Sequence, residues 1–340
     1  VRQLITTAVR SISGGQDNGS TRGGSAARRV ALLAAAAVLA AACQSSEAAD
    51  SMPTGGFWSA APNSDEQRLE VLRKVRAIDV CALLPRESLG EFGAVSEVEN
   101  VSPEQCRANM AADGHPGGID ATWTAGALFS GEYQLGDGPV TERALGDVRT
   151  LYAEEPNTDP ARRGSCEAYA QFVAGAYLTM SVRAPQDACG TAESLLRIAL
   201  VNWRAEPAQG SSPDSDRTVV SGADPCAAAP LIGVRVSPGD QNLSRCTLKI
   251  DGHDALVRFE YRQQQGLAGH NTPAFTVGER QVYRAESTMA SIDTLTAAVG
   301  PALAPGTSDK LLGPRVPVVT VTADPAVAEQ VMRETLATLN

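Results

Sequence analysis

The stretch Ile78-Asp79-Val80-Cys81-Ala82-Leu83-Leu84-Pro85 decides how this chain is read, because it is echoed by Ala223-Asp224-Pro225-Cys226-Ala227-Ala228-Ala229-Pro230. A second Cys follows in each copy, in Gln105-Cys106-Arg107 and in Arg245-Cys246-Thr247. Farther along, Gly146 to Tyr152 loosely matches Gly278 to Tyr283. Ala192-Glu193-Ser194-Leu195-Leu196-Arg197 parallels Ala328-Glu329-Gln330-Val331-Met332-Arg333. The pattern predicts two tandem domains built on one plan. Between the copies, Ala205 to Gly222 is rich in Pro, Gly, Ser and Asp, which marks a linker. The expected organisation is residues 67–205 for the first domain, 206–216 for the linker and 217–340 for the second domain.

The chain has seven Cys. With Cys43 assigned elsewhere (below), Cys81, Cys106, Cys166, Cys189, Cys226 and Cys246 remain, and an even number in an exported chain points to disulfides. Six Cys allow fifteen connectivities, and the sequence alone does not choose among them. Proximity suggests Cys81–Cys106, Cys166–Cys189 and Cys226–Cys246, each adding about 3 kcal/mol by the chain-entropy argument. Zinc would need close pairs of the C-x-x-C kind, and the spacing offers none.

Hydrophobic periodicity predicts a similar order of elements in both halves. Leu69, Leu72 and Val75 at helical spacing predict a helix over Glu66–Ile78, and Cys81–Phe92 reads as a short helix broken near Gly90. Strands are expected at Ile119–Phe129, Val148–Ala153, Glu167–Val173 and Ala176–Ala184, the last with clean alternation. Ala192, Leu195, Leu196, Ala199 and Leu200 form one stripe of a helix over Asp187–Trp203. The second half offers strands at Cys246–Ile250, Ala255–Arg262, Phe275–Tyr283 and Val316–Ala323. A helix at Pro325–Leu339 closes it, with Pro325 in its first turn. Neighbouring strands flanked by helices predict an α+β fold in which each domain is an antiparallel sheet with helices, braced by disulfides.

The N-terminal part reads as an export signal. Arg22, Arg28 and Arg29 precede an apolar run, Val30 to Ala42, that meets Cys43. That run is shorter than the roughly 20 residues a spanning helix needs, and its layout is secretory. Leu39-Ala40-Ala41-Ala42-Cys43 resembles a bacterial lipobox, with Ala40 where Leu is usual. The resemblance implies cleavage before Cys43 and a diacylglycerol thioether on it. Residues 1–42 are then the signal peptide, by the general secretory route, and the stretch before Arg28 reads as an extended leader or a misplaced start. Residues 43–66 form a flexible tether. Phe57 and Trp58, its large aromatic residues, are expected to pack loosely on the domain surface.

Composition narrows the partners. Formal net charge is −10, which argues against nucleic acid, since affinity there comes from Lys and Arg at phosphates. Removing residues 1–42 makes the body still more acidic, so it is repelled by an anionic bilayer while the lipid holds it near. There is no G-x-S-x-G, no P-loop and no G-x-G-x-x-G after a strand. The three His are His115 in a Gly-rich turn, His253 at a hairpin tip beside Asp251 and Asp254, and His270 in a loop. A solvated turn is the simpler reading for each of them than a metal shell. The acidic pairs Glu154-Glu155 and Glu97 with Glu99 read as surface charge rather than a glycosidase pair.

Asp79-Val80-Cys81-Ala82-Leu83-Leu84 with Cys106, and Asp224-Pro225-Cys226 with Ser244-Arg245-Cys246, resemble a family of actinobacterial cell-envelope lipoproteins of unknown function. Its members carry a lipobox, a low-complexity tether and a domain opening with Asp-Pro-Cys-x-Leu-Leu. The departures are Val80 for Pro, no Leu-Leu after Cys226, and Ala108 and Leu248 where the family has Trp. Extracellular sensor domains of envelope kinases share a looser likeness. The resemblance implies no enzymatic activity, and no catalytic residue, cofactor or metal is expected. The expectation is a non-catalytic ligand-binding or protein-interaction module, lipid-anchored to the outer face of the cytoplasmic membrane, with an unknown envelope partner. The alternatives are a wall glycan or peptide hydrolase and a structural subunit of an envelope assembly.

Overall fold

In a computed structural model, residues 56–112, 114–131, 133–135, 139–155, 163–269, 271–285, 291–304 and 313–339 are described. The signal segment, Cys43 and most of the tether lie outside them, as does His270.

Two antiparallel sheets organise the chain. The first contains β1 (Val95–Ser102), β2 (Gln105–Ala112), β3 (His115–Ala127), β4 (Val140–Leu145), β5 (Val148–Glu155), β6 (Gly164–Gln171) and β7 (Ala176–Ala184). The second contains β8 (Arg245–Ile250), β9 (His253–Gln263), β10 (Asn271–Val277), β11 (Arg280–Ala285), β12 (Asp293–Ala298) and β13 (Arg315–Ala323). The strand orders are β1-β2-β3-β7-β6-β5-β4 and β10-β11-β12-β13-β9-β8. Read from the strand holding the second Cys, these are one order: β2-β3-β7-β6-β5-β4 matches β8-β9-β13-β12-β11-β10. Among the described strands, β1 alone has no counterpart. The fold is α+β, with both sheets in one compact unit, Met52–Asn340.

Local chemistry explains the helices. In α1 (Asp65–Ala77), Ser64 caps the start by accepting from the Gln67 amide at 3.3 Å, and Asp65 and Glu66 lie in the first turn, where acidic groups favour the dipole. In α2 (Ala188–Arg204), Asp187 is the cap, and the buried residues include every member of the stripe from Ala192 to Leu200. Cys189 bridges to Cys166 of β6, stapling α2 to the first sheet. In α3 (Pro325–Ala337), Asp324 caps and Val327, Val331, Met332 and Leu336 pack on the second sheet. Each sheet thus has its own apolar core on the helix-covered face.

The two Asp-x-Cys motifs build one turn twice. Asp79 Oδ1 accepts from the Cys81 amide at 3.1 Å, and Asp224 Oδ1 accepts from the Cys226 amide at 2.9 Å. Each Cys then reaches the first strand of the shared order, in Cys81–Cys106 and Cys226–Cys246, with Cα atoms 5.3 and 5.2 Å apart.

Three readings differ from the sequence expectation. Phe275–Tyr283 is not one strand: β10 and β11 form a hairpin around Gly278, whose φ is +58°, just as Gly146 at +65° turns β4 into β5. Strand-forming residues flank each glycine, so periodicity runs through the turn. Trp58 is not loosely packed but 4% exposed, with its ring 5.5 Å from Trp203 and 5.9 Å from Phe172. An indole gains more from that aromatic pocket than from water. The 206–216 segment is held to the first half: Asp79 accepts from the Ser212 amide at 2.9 Å and from the Ser215 hydroxyl, and Arg86 pairs with Asp214 at 2.7 Å.

Candidate functional site

The faces of the first sheet have different chemistry. On β7, Leu178, Met180 and Val182 are buried toward the core that carries α2, while Tyr177, Thr179 and Ser181 point the other way. The same alternation puts Thr122 and Thr124 of β3 and Glu167 and Tyr169 of β6 on that second face. Register brings them side by side. Gln105, Thr124, Thr179 and Tyr169 form one row across four strands, and Thr122, Ser181 and Glu167 lie in the next.

Over these rows lies a cleft of about 270 Å³. Its lining is Gln105, Thr122, Thr124, Thr179, Ser181 and Glu167, walled by Tyr133 and Tyr177, with Met180 also reached. Tyr133 comes from the connection between β3 and β4 and stacks on Tyr169, centroids 4.4 Å apart and planes 9° apart. Tyr177 leans against both. Room for Tyr177 comes from Gly126, its register partner on β3, where a Cβ would run into the phenol ring.

Hydrogen bonds hold the lining in place. The Gln105 amide donates to Thr124 Oγ1 at 2.8 Å, and Tyr133 Oη donates to Glu167 Oε1 at 3.3 Å. Burial, reinforced by the Glu167 charge, pushes the Tyr133 phenol up to about 12. Burial likewise raises Tyr169 and Tyr177. All three remain neutral donors at physiological pH, suited to binding rather than to nucleophilic attack.

The corresponding strand pair of the second sheet, β9–β13, is covered differently. Leu267, from the short helix Gln264–Gly269, packs on Val316 and Val318. Beside them Glu260 pairs with Arg262 at 2.7 Å and accepts from Thr320 at 3.3 Å. Apolar packing, ion pairs and hydrogen-bonded threonines, among them Thr294 with Thr322 at 3.4 Å, occupy this face.

The residues singled out from sequence are placed elsewhere. Glu97 and Glu99 share one face of β1, where Glu97 accepts from Asn109 at 3.1 Å, but Glu99 is buried between Arg107 and Arg315 rather than surface charge. Glu155 accepts from Ser165 at 2.7 Å. His115 begins β3 and is exposed, and His253 Nδ1 lies 3.2 Å from Asp324 Oδ2 behind the Asp251-Gly252 turn. Among the described residues no His, Cys, Asp and Glu cluster is placed to hold a metal, and no helix is long and apolar enough to cross a membrane. Sequence reading missed the cleft because Tyr169 and Tyr177 meet through strand pairing, and Tyr133 reaches them from a connection between strands. The available signal was the polar set of the β7 alternation.

No family model matches the chain, and no curated protein matches it in sequence. The solved structures similar to it include the crystal structure of DynU16, from the dynemicin biosynthetic locus, at 12% identity over 78% of this chain and 90% of that one, with a TM-score of 0.15. Another is the di-domain ARO/CYC BexL from the BE-7585A biosynthetic pathway, at 15% identity over 78% and 84%, with a TM-score of 0.12. At such TM-scores neither likeness bears on fold or function.

Proposed function

We propose that this chain is a non-catalytic binding module of the cell envelope that takes a small polar ligand in the cleft on the open face of its first sheet. The observation that carries this reading is the cleft itself, a hydroxyl-lined floor beside a stacked tyrosine wall. Small-molecule sites are concave and place a few convergent polar groups against an apolar or aromatic surface. Among the described residues its lining includes one carboxylate, Glu167, whereas a wall glycosidase needs two facing carboxyl groups.

The setting we infer is extracytoplasmic, with Cys43 lipidated and the body tethered to the outer face of the cytoplasmic membrane. Support comes from three disulfides, which persist in oxidising compartments, and from the basic and apolar run ahead of Cys43.

The test is native purification of the full chain from membranes, followed by intact-mass analysis and identification of small molecules released on denaturation. We expect a diacylglyceryl mass on Cys43, and a released ligand that Tyr133→Ala no longer retains. An unmodified Cys43 would refute the anchor. Wild type and variant that release the same material would refute the binding role of the cleft.

A further inference from the structure

The geometry points to a neutral saccharide, a single pyranose unit or the end of a glycan chain, as the ligand of the cleft; this rests on the binding reading above. Four hydroxyls, those of Thr122, Thr124, Thr179 and Ser181, come from two adjacent strands, with Thr122 opposite Ser181 and Thr124 opposite Thr179. A hydroxyl both donates and accepts, so a patch of them matches the neighbouring hydroxyls of a sugar, which do the same. The Gln105 amide and the Glu167 carboxylate flank the patch. A carboxylate accepts from sugar hydroxyls in charge-assisted hydrogen bonds, stronger than neutral ones.

The tyrosine wall supplies the other half of sugar recognition. One face of a pyranose is a sheet of C–H groups, and it packs on an aromatic ring whose negative face attracts them. Tyr133 is braced for that role by its stack on Tyr169 and its bond to Glu167, so little freedom is lost on binding.

Other ligand chemistries fit less well. Among its described residues the lining carries Glu167 and no Lys or Arg, which favours a neutral ligand over phosphates and other anions. A hydrocarbon chain would strip water from the hydroxyls and the carboxylate without replacing their hydrogen bonds. A quaternary ammonium group needs aromatic faces spread around it, yet the three tyrosine rings lie in contact, 4.4 to 5.7 Å between centroids. The volume, about 270 Å³, sits at the small end of ligand pockets and suits one sugar ring.

Saturation-transfer NMR on the full chain tests this with glucose, galactose, mannose, N-acetylglucosamine and short oligomers of each. Tetramethylammonium and inorganic phosphate serve as competing probes. We expect transfer to ring protons of at least one sugar, with half-saturation raised tenfold or more in Tyr133→Ala and in Thr124→Val. Tyr133→Phe, which keeps the ring, should bind within a few-fold of wild type. Tighter binding of an oligomer than of its monomer would identify a glycan end as the source. Circular dichroism melts show that each variant is folded. If tetramethylammonium or phosphate binds in a Tyr133-dependent way and no sugar does, the saccharide assignment falls while the binding role of the cleft stands. If no probe binds, or if binding is indifferent to both variants, the saccharide assignment is overturned, and a native ligand retained through Tyr133 would still uphold the cleft.

Discussion

Arg315, at the start of β13, donates to Glu99 of β1 at 2.9 Å, and both side chains are almost fully buried. The same guanidinium donates to the Asn100 carbonyl at 2.7 Å, so the edge strand without a counterpart in the repeat is what the second sheet grips. Arg107 holds Glu99 from the other side. Removing one partner of a buried pair leaves a charge without compensation, at a cost of about 3–5 kcal/mol. Arg315→Ala should therefore lose about 3 kcal/mol in denaturant unfolding. The double variant Glu99→Met with Arg315→Met should lose clearly less. Equal losses in the single and double variants would show that the pair does not couple the sheets.

Glu104 makes stability depend on pH. It lies where the two sheets meet, accepting from Ser244 at 2.7 Å, while its other carboxylate oxygen is buried without a partner. Burial pushes its carboxyl up, against the opposing pull of Ser244 and the Arg245 charge. A carboxyl raised in the folded state leaves stability whole at pH values below the ordinary glutamate range, where folded and unfolded chains are both protonated. Stability is then lost as pH rises toward the raised folded value. Glu104→Gln should flatten that part of the profile. Parallel wild-type and variant curves from about pH 4 to about pH 8 would rule the mechanism out.

The repeated aspartates should differ in worth. Asp79 is buried and serves the amides of Cys81 and Ser212 and the hydroxyl of Ser215, tying the first half to residues 206–216. Asp224, 48% exposed, caps Cys226 and pairs with Arg76 at 3.1 Å. Asp79→Ala orphans several buried donors and should cost about 2–4 kcal/mol. Asp224→Ala should cost less, about 1–2 kcal/mol, because its cap is exposed and the buried Arg76 keeps its bonds to the Leu243 and Asn242 carbonyls. Chemical denaturation of both variants gives the comparison, and a larger loss at Asp224 would contradict it.

Trp58 should anchor the chain where the tether reaches the body. Its ring fills the pocket made with Phe172 and Trp203, and the Lys74 ammonium lies 4.9 Å over the adjacent Phe57 ring. Trp58→Ala should cost about 3–5 kcal/mol by the cavity argument. It should also open the backbone before Asp65 to limited proteolysis. Cleavage at the wild-type rate would mean that the indole does not hold this segment.

Much of the architecture was legible in the sequence because it is local. The stripe from Ala192 to Leu200, the alternation of Ala176–Ala184, the Pro325 helix start and the proximity of each Cys pair all describe neighbours along the chain. The Asp-x-Cys echo also foresaw a repeated plan, and both sheets follow it. β1 and β2 escaped notice because Glu97, Glu99, Asn100 and Arg107 break the apolar pattern. Their partners come from other strands, Asn109 of β2 for Glu97 and Arg315 of β13 for Glu99, the latter 216 positions away.

What the sequence made legible by itself was the three long helices, the better strands and the repeat, with the cysteine pairs suggested by proximity. Each depends on hydrophobic period or on short loops, which any chain with these residues carries into every conformation. Only the tertiary structure decided which sheet keeps an open polar face. That outcome turns on strand register and on what the connections bring over the sheet: Tyr133 above one, Leu267 above the other.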